Sequence, residues 1–147
     1  MFSGFLGLLS SDISIDLEVM WMSGWTRDEL YDQTGLPWIN PSPNMRSLAA
    51  ALLYPGIGVL ETTNLSVGRG TSTPFEIIGA PWIDGNALAA ALRSQPTPGV
   101  TITAAEFTPD ASVHKNELCH GVAFEITDRS KLRSVGLGIT VAATLRR

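Results

Sequence analysis

Alternating apolar and polar residues predict several strands along the chain. Residues 13–19 place isoleucine, leucine or valine at every second position, which is typical of a strand with one buried face. Residues 100–104 and 122–126 repeat this period of two, and the apolar segments 57–60 and 75–78 have the length of short strands. The pattern therefore predicts a sheet assembled from separate parts of the chain.

Apolar residues at helical spacing predict a first helix after the N-terminal third. Asn44 is a suitable N-cap, and the helix is expected to continue to about Leu53. Pro55 and Gly56 are expected to end it, because proline lacks a backbone donor and glycine favours helix ends. Small residues at 49–51 would let this helix pack closely on a sheet.

Two further helices are predicted toward the C-terminus. Asp84 is a suitable N-cap for the second helix, which is expected to stop before Pro96. The third helix follows Asp128, although Gly136 and Gly138 weaken it. Its expected apolar stripe consists of Leu132, Val135 and Ile139.

Residues 21–43 are expected to form an ordered aromatic loop. They combine three tryptophans with glycines and prolines, a composition that cannot hold a long regular element. Because helices alternate with strands along the rest of the chain, the predicted fold class is α+β. We expect a mixed β-sheet with about three helices packed largely on one face and with long polar and aromatic loops.

The composition is that of a globular protein. The 147 residues are 44% hydrophobic and 16% charged, which disfavours disorder. A formal net charge of −4 disfavours a nucleic-acid partner, because neutralising phosphates requires clustered Lys and Arg. The opening apolar run, residues 2–9, is too short to span a bilayer and follows no basic residue. We therefore expect no membrane partner.

Residues 61–71 form a long polar loop between two apolar segments, and such loops tend to be functional. Gly68 and Gly70 flank Arg69, so the backbone can turn tightly and project the guanidinium toward a carboxylate or sugar oxygens. Groups that both donate and accept hydrogen bonds, as sugar recognition requires, belong to Thr63, Asn64, Ser66 and Thr71.

A second interpretation of this loop is structural. Its hydroxyl and amide side chains could bond the loop's own backbone, and Arg69 could form an ion pair with Glu61 or Glu76. The segment lacks the Gly-Lys-Ser/Thr ending of a phosphate-binding loop, and no dinucleotide-type glycine spacing occurs. The sequence therefore indicates no cofactor.

Glu61 and Glu76 bracket the polar loop and are the two carboxylates that could serve a glycosidase, which usually uses a pair. Ion pairing with Arg69 is the competing explanation for both. Cys119 and His120 are adjacent, so in a strand they point to opposite faces and cannot form a nucleophile–base pair. His114 and His120 lack a tight ligand spacing, and no metal site is assigned.

Four tryptophans could belong to the core or form an apolar platform for pyranose rings. Trp38 and Trp82 each adjoin a proline, which makes them better candidates for a pocket wall than Trp21 and Trp25. Of these two, Trp38 is grouped with the loop residues as a candidate for substrate binding.

Six segments, found in this order, resemble the C-terminal region of the NamZ-type, or YbbC-like, family of exo-β-N-acetylmuramidases. They are Gly35-Leu-Pro-Trp38, Pro41-Ser-Pro-Asn-Met45, Tyr54-Pro-Gly56, Thr63-Asn-Leu-Ser-Val-Gly-Arg-Gly-Thr71, Pro74-Phe-Glu-Ile-Ile-Gly-Ala-Pro-Trp82 and Leu118-Cys-His-Gly121. The similarity runs from about residue 25 to 128 and continues into the last predicted helix. It implies a domain division into an atypical N-terminal segment, residues 1–20, and the family's C-terminal domain, residues 21–147.

The resemblance implies a glycoside hydrolase that releases N-acetylmuramic acid from the non-reducing ends of peptidoglycan fragments. Family members carry an N-terminal Rossmann-like domain with a Pro-Glu-His-Gly motif, whose glutamate is the proposed catalytic residue. That motif does not occur in these 147 residues, so we expect this chain to need that domain for hydrolysis. The resemblance places Asn64, Arg69, Thr71 and Glu76 at or beside the sugar cleft, with Arg69 binding the lactyl carboxylate.

The resemblance also names the expected partners, which are muramic-acid-containing peptidoglycan fragments and the N-terminal Rossmann-like domain. It suggests an extracytoplasmic location in a bacterium. Three alternatives remain open: a stand-alone muropeptide-binding module, an independent glycosidase that uses Glu61 and Glu76, and an interface piece that forms a homodimer through the aromatic loop.

Overall fold

The computed structural model of the protein describes residue 16 and residues 18–24 and 26–146. Most of the strand predicted at 13–19 lies outside these described residues. Regular structure in the described part begins with a short 3-10 helix, Tyr31–Thr34. The main elements then follow in the order α1 (Leu48–Ile57), β1 (Ile77–Ala80), α2 (Gly85–Arg93), β2 (Val100–Phe107), β3 (Cys119–Ile126) and α3 (Ser134–Leu145).

The three described strands form an antiparallel sheet with β3 in the centre, in the order β1-β3-β2. Ile78 of β1 lies opposite Val122 of β3, and Ile102 of β2 lies opposite Phe124. The strands predicted at 75–78, 100–104 and 122–126 are therefore confirmed, with shifted or extended ends. The α+β fold class is confirmed as well.

The core lies between the sheet and the three helices. Helix α2 packs on β2 and β3, whereas α1 and α3 pack mainly against each other. Asp84 caps α2 as predicted, and its carboxylate accepts hydrogen bonds from the backbone N–H groups of Asn86 and Ala87. The largest fully buried side chains of this core are Leu53, Ile57, Phe75, Ile78, Leu92, Ile102, Val122 and Val141.

Helix α1 differs from its prediction at both ends. Its N-cap is Ser47 rather than Asn44, because the Ser47 hydroxyl accepts a hydrogen bond from Ala50 N at 2.9 Å. The predicted strand at 57–60 is wrong, since α1 continues to Ile57 and a 3-10 helix, Gly58–Thr62, follows directly.

The prediction that Pro55 and Gly56 end α1 is also wrong, for a tertiary reason. The Ser134 hydroxyl, at the start of α3, donates to Leu53 O at 2.9 Å and accepts from Gly56 N at 3.0 Å. This side chain therefore ties the backbone on both sides of Pro55 to α3. Helix α1 can therefore continue past Pro55.

Helix α3 begins at Ser134, so Leu132 precedes it. Val135 and Ile139 of the predicted apolar stripe are exposed, and the buried face instead carries Leu137, Gly138 and Val141. The predicted stripe is therefore wrong. Gly138 faces Gly56 of α1, and the absence of a Cβ atom at Gly138 lets the two helix backbones approach each other closely.

The aromatic segment 21–43 contains little regular structure, as predicted. Among its described residues, only the 3-10 helix Tyr31–Thr34 is regular, and Gly35 ends it with a φ of +71°. An ion pair between Asp32 and Arg129 joins this segment to the loop before α3 and lowers the pKa of Asp32. In the described part of the chain, no helix is both long and apolar enough to cross a bilayer.

Candidate functional site

The polar loop 61–71 is held against the edge of the sheet. Ser66 and Gly79 of β1 exchange two backbone hydrogen bonds, each of 2.9 Å. A further bond of 2.8 Å from Phe75 N to Val67 O closes the loop at its far end. Because its backbone is paired in this way, the loop has a defined shape.

Two glycines set the direction of the Arg69 side chain. Gly68 and Gly70 have φ values of +79° and +80°, which side-chain-bearing residues rarely adopt. A Cβ atom at Gly70 would lie 2.4 Å from Ala111 N, and one at Gly68 would lie 2.8 Å from Ile77 Cγ1. Both glycines are therefore required by conformation and by space.

Arg69 forms an ion pair with Glu61 through its Nε atom. This hydrogen bond raises the pKa of Arg69 above its usual value. The guanidinium also lies 5.3 Å from the centroid of the buried Phe75 ring. Of the two carboxylates that could pair with Arg69, the structure selects Glu61.

The Arg69–Glu61 pair is only partly buried, with 36% and 25% of the two side chains exposed. Among the hydrogen bonds of the described residues, Arg69 uses its Nε–H alone, so its Nη groups remain able to donate. The pair lines a small cavity of about 30 Å³ together with Ser66, Ser112 and Val113. A cavity of this size holds about one water molecule.

Three of the predicted sugar-binding hydroxyls form hydrogen bonds with backbone groups in or next to the loop. Thr63 Oγ1 donates to Leu60 O at 2.6 Å, and Thr71 Oγ1 donates to Gly68 O at 2.6 Å. Ser66 Oγ accepts a bond from Gly68 N and is buried. Thr63 and Thr71 remain partly accessible, so a role of these hydroxyls in substrate binding stays a prediction.

Glu76 lies in a different environment from Glu61. Its Oε1 accepts a hydrogen bond of 2.6 Å from the hydroxyl of Ser47, the N-cap of α1. It lines a cavity of about 270 Å³ together with Glu125 and Arg129, and Glu61 does not line that cavity. Glu61 and Glu76 therefore line different cavities, and their use as a catalytic pair stays a prediction.

The two candidate tryptophans occupy unlike positions. Trp38 is half-buried, donates its indole N–H to Met45 O at 3.2 Å and packs edge-on against Tyr31. Trp82 is 58% exposed and lines a cavity of about 240 Å³ that also includes Thr63 and Asn64. The structure therefore groups Trp82, rather than Trp38, with the polar loop.

Cys119 and His120 point to opposite faces of β3, as predicted. The Cys119 thiol is fully buried, and burial together with the nearby Glu117 charge raises its pKa. His120 Nδ1 lies 3.1 Å from Glu106 Oε1, and both residues line a cavity of about 480 Å³ beside the start of α2. Among the described residues, no group of three or more His, Cys, Asp or Glu side chains could hold a metal ion.

Sequence patterns did not indicate the role of the connection between β2 and β3. Ser112, His114 and Asn116 in this connection all have positive φ values, and His114 Nε2 lies 2.8 Å from Asn64 O. The connection therefore covers one side of the polar loop. It has no apolar periodicity, so nothing in the sequence pattern associates it with residues 61–71.

Comparison with known proteins identifies the family. The family model described as "Exo-beta-N-acetylmuramidase NamZ, C-terminal" matches residues 52–147, and the corresponding N-terminal model matches residues 5–49. The two matches divide the chain near residue 50, whereas the sequence alone suggested a division after residue 20.

Two relatives extend this result. The chain is 47% identical over 133 residues to the peptidoglycan beta-N-acetylmuramidase NamZ of Bacillus subtilis, a match that covers 90% of this chain. It also resembles the crystal structure of a DUF1343 family protein from Bacteroides fragilis, with a TM-score of 0.78 and 34% identity over 83% of this chain. In each case the match spans only 32% of the relative's length.

Proposed function

Given that this chain belongs to the exo-beta-N-acetylmuramidase NamZ family, we propose that it forms one wall of a cleft that binds muramic-acid ends of peptidoglycan. In this proposal, bond breaking depends on the N-terminal Rossmann-like domain expected for the family. The observation that carries the proposal is the partly exposed Arg69–Glu61 pair, held on a rigid loop by two obligatory glycines.

The shape of the site supports a role as half of a cleft. The cavity at Arg69 has a volume of about 30 Å³, whereas pockets for drug-sized ligands measure about 300–1,000 Å³. A sugar ring at Arg69 therefore needs a second wall. The surrounding backbone is already paired, so the site would meet a second domain without reorganising.

Arg69 is suited to recognise the carboxylate that distinguishes muramic acid from N-acetylglucosamine. Its Nε–H is occupied by Glu61, which fixes the plane of the guanidinium and leaves the Nη groups for a ligand. Glu61 also offsets the positive charge, which moderates the attraction for the ligand. In this proposal Glu61 is a positioning residue and Thr71, next to Gly70, borders the cleft, whereas Asn64 and Glu76 line separate cavities.

The N-terminal side of the chain supports a domain partner. Met20, Trp21 and Met22 are consecutive exposed apolar residues, with 87% of Trp21 exposed. They belong to the segment that matches the family's N-terminal model. We propose that the N-terminal domain covers them, and a second copy of this chain is the alternative that solution scattering would detect as a dimer.

The substrate class also bears on location. Because peptidoglycan lies outside the cytoplasmic membrane, we propose that the working protein is extracytoplasmic. Fractionation of the native bacterium would test this, and recovery of the protein in the cytoplasm alone would contradict it.

Turnover of an aryl β-N-acetylmuraminide tests whether hydrolysis requires the N-terminal domain in addition to this chain. The chain alone should show no turnover. A chimaera that joins this chain to the part of the Bacillus subtilis relative that it does not match should hydrolyse the substrate. Turnover by the chain alone would contradict the dependence on a second domain.

Two variants of the chimaera serve as a matched pair. Arg69→Ala removes the proposed carboxylate contact, and Arg93→Ala removes a cation of α2 that donates only a long bond of 3.4 Å to Ile102 O. The Arg69 variant should lose activity and the Arg93 variant should keep it. Equal activities would contradict the role of Arg69.

A further inference from the structure

The exposed tryptophan after β1 has a fixed position in the fold. Residues 80–83 form a turn closed by a bond from Ile83 N to Ala80 O of 3.3 Å, with Pro81 at its second position. Proline favours that position because its φ is already suitable for the turn. The turn therefore projects Trp82 from the end of a buried strand, with 58% of the residue exposed.

A neighbouring histidine braces the indole ring. His114 packs edge-on against Trp82, with ring centroids 5.0 Å apart and an interplanar angle of 80°. His114 is itself held by Asn64 O at 2.8 Å and by Glu117 at 3.6 Å. The edge contact leaves the indole with a fixed orientation and an accessible surface.

Trp82 borders a cavity of about 240 Å³ that is lined by both apolar and polar residues. The lining includes the apolar residues Leu60, Leu65 and Leu145 and the amide-bearing residue Asn64. Arg146, just after α3, also lines the cavity and forms no ion pair within the part of the chain that the structure describes. An aromatic residue, an amide-bearing residue and a cationic residue thus line the same cavity.

We propose that this cavity is a second saccharide site, which binds a single carboxylate-bearing sugar ring. The apolar face of the ring stacks on Trp82, its carboxylate binds the Arg146 guanidinium, and its hydroxyl or acetamide groups bind the Asn64 side chain. The sugar class rests on the proposed function, but the site itself does not involve Arg69, which lines a separate cavity.

The dimensions favour one ring over a longer glycan. A volume of about 240 Å³ lies just below the range of pockets for drug-sized ligands, about 300–1,000 Å³. Thr63 Oγ1 already donates to Leu60 O, so it offers the ligand an acceptor only. The site therefore contacts one sugar ring of a glycan. Together with the proposed cleft, it would raise the affinity for longer peptidoglycan fragments.

The experiment is an NMR titration of this chain with N-acetylmuramic acid and with N-acetylglucosamine, which observes the indole N–H signals and the backbone amide signals of the residues that line the cavity. We expect the Trp82 signal to shift saturably with N-acetylmuramic acid and to require at least fivefold more N-acetylglucosamine. Trp82→Ala should abolish binding, and Arg146→Gln should remove the preference for the acid. Trp21→Ala, which alters an exposed tryptophan outside the cavity, should change neither result.

Three outcomes separate this site from the proposed cleft. Saturable shifts at Trp82 that survive Arg69→Ala would support a distinct site, even if the chimaera showed no turnover. Absence of shifts at Trp82 at high millimolar sugar would overturn the site and leave the hydrolysis assay unaffected. Shifts abolished by Arg69→Ala but not by Trp82→Ala would assign the sugar to the proposed cleft and also overturn the site.

Discussion

At the scale of single residues, the orientation of Arg69 depends on backbone positions that only glycine tolerates. Gly70 combines a φ of +80° with an approach to Ala111 that excludes a Cβ atom. Gly35 has a similar φ of +71° but open space around it. A comparison of alanine substitutions at Gly70 and Gly35 therefore distinguishes the energetic cost of a positive φ from that of a steric clash.

Gly70→Ala should destabilise the protein more than Gly35→Ala. The left-handed conformation alone costs roughly 1–2 kcal/mol for a residue with a Cβ atom, and both variants carry that cost. Gly70→Ala adds the collision with Ala111, which we expect to contribute roughly 1–3 kcal/mol more. Urea unfolding of both variants measures the difference, and equal losses would show that the loop yields without strain.

Residue types alone predicted part of this site. The Gly-Arg-Gly run correctly indicated a tight turn that presents Arg69, because positive φ values are a local property of glycine. The choice of Glu61 over Glu76 was left open, since it depends on the 3-10 helix that follows α1. The grouping of Trp82 with His114 joins residues far apart in sequence, which no local pattern encodes.

At the scale of elements, the contact of α1 with α3 depends on two facing glycines. A Cβ atom at Gly138 would lie 2.3 Å from Gly56 O, and one at Gly56 would lie 1.8 Å from Ser134 O. Close backbone approach also lets the Ser134 hydroxyl reach α1. Periodicity missed this arrangement because it assigns buried faces to large apolar residues, whereas this face is built on Gly138.

Alanine substitutions in α3 should have effects of opposite sign. Gly138→Ala forces the helices apart and should destabilise the protein by roughly 1–3 kcal/mol. Gly136→Ala places its Cβ at ordinary contact distance on an exposed face and should stabilise the helix by about 0.4–1 kcal/mol. Thermal unfolding compares the two, and stabilisation by both substitutions would contradict the close contact.

The turn that precedes α3 should make the free energy of unfolding decrease at acidic pH. Asp128 accepts bonds from Ser130 and pairs with Lys131 at 2.8 Å, and these contacts lower its pKa from 3.8 to about 2. The folded state favours the ionised form of Asp128 more than the unfolded state does. The contribution of these contacts to the free energy of unfolding is therefore fully present above about pH 4. It is lost as the pH falls toward 2.

Asp128→Asn tests this dependence, because the amide cannot ionise. The difference in unfolding free energy between the native protein and the variant should be constant near neutral pH and shrink between pH 4 and pH 2. NMR titration of the Asp128 carboxyl should give the lowered pKa directly. A carboxyl that titrates at its ordinary value would contradict the contacts with Lys131 and Ser130.

At the scale of the whole molecule, a continuous apolar core accompanies a small cavity at Arg69. The helices and the sheet enclose a continuous apolar core, yet the cavity at Arg69 is too small for a sugar. The chain spans about a third of the length of the relatives it matches. Fold class followed from hydrophobic periodicity, whereas the site depends on surfaces that, in our account, a second domain completes.

The central claim is that Arg69 selects the carboxylate of muramic acid. The most direct test compares inhibition of the chimaera by N-acetylmuramic acid and by its methyl ester, which lacks only the charge. The account predicts that the free acid binds roughly 10- to 100-fold more tightly and that Arg69→Ala removes this preference, as loss of a charged hydrogen bond requires. An Arg69→Ala enzyme that keeps the full preference for the free acid would contradict it.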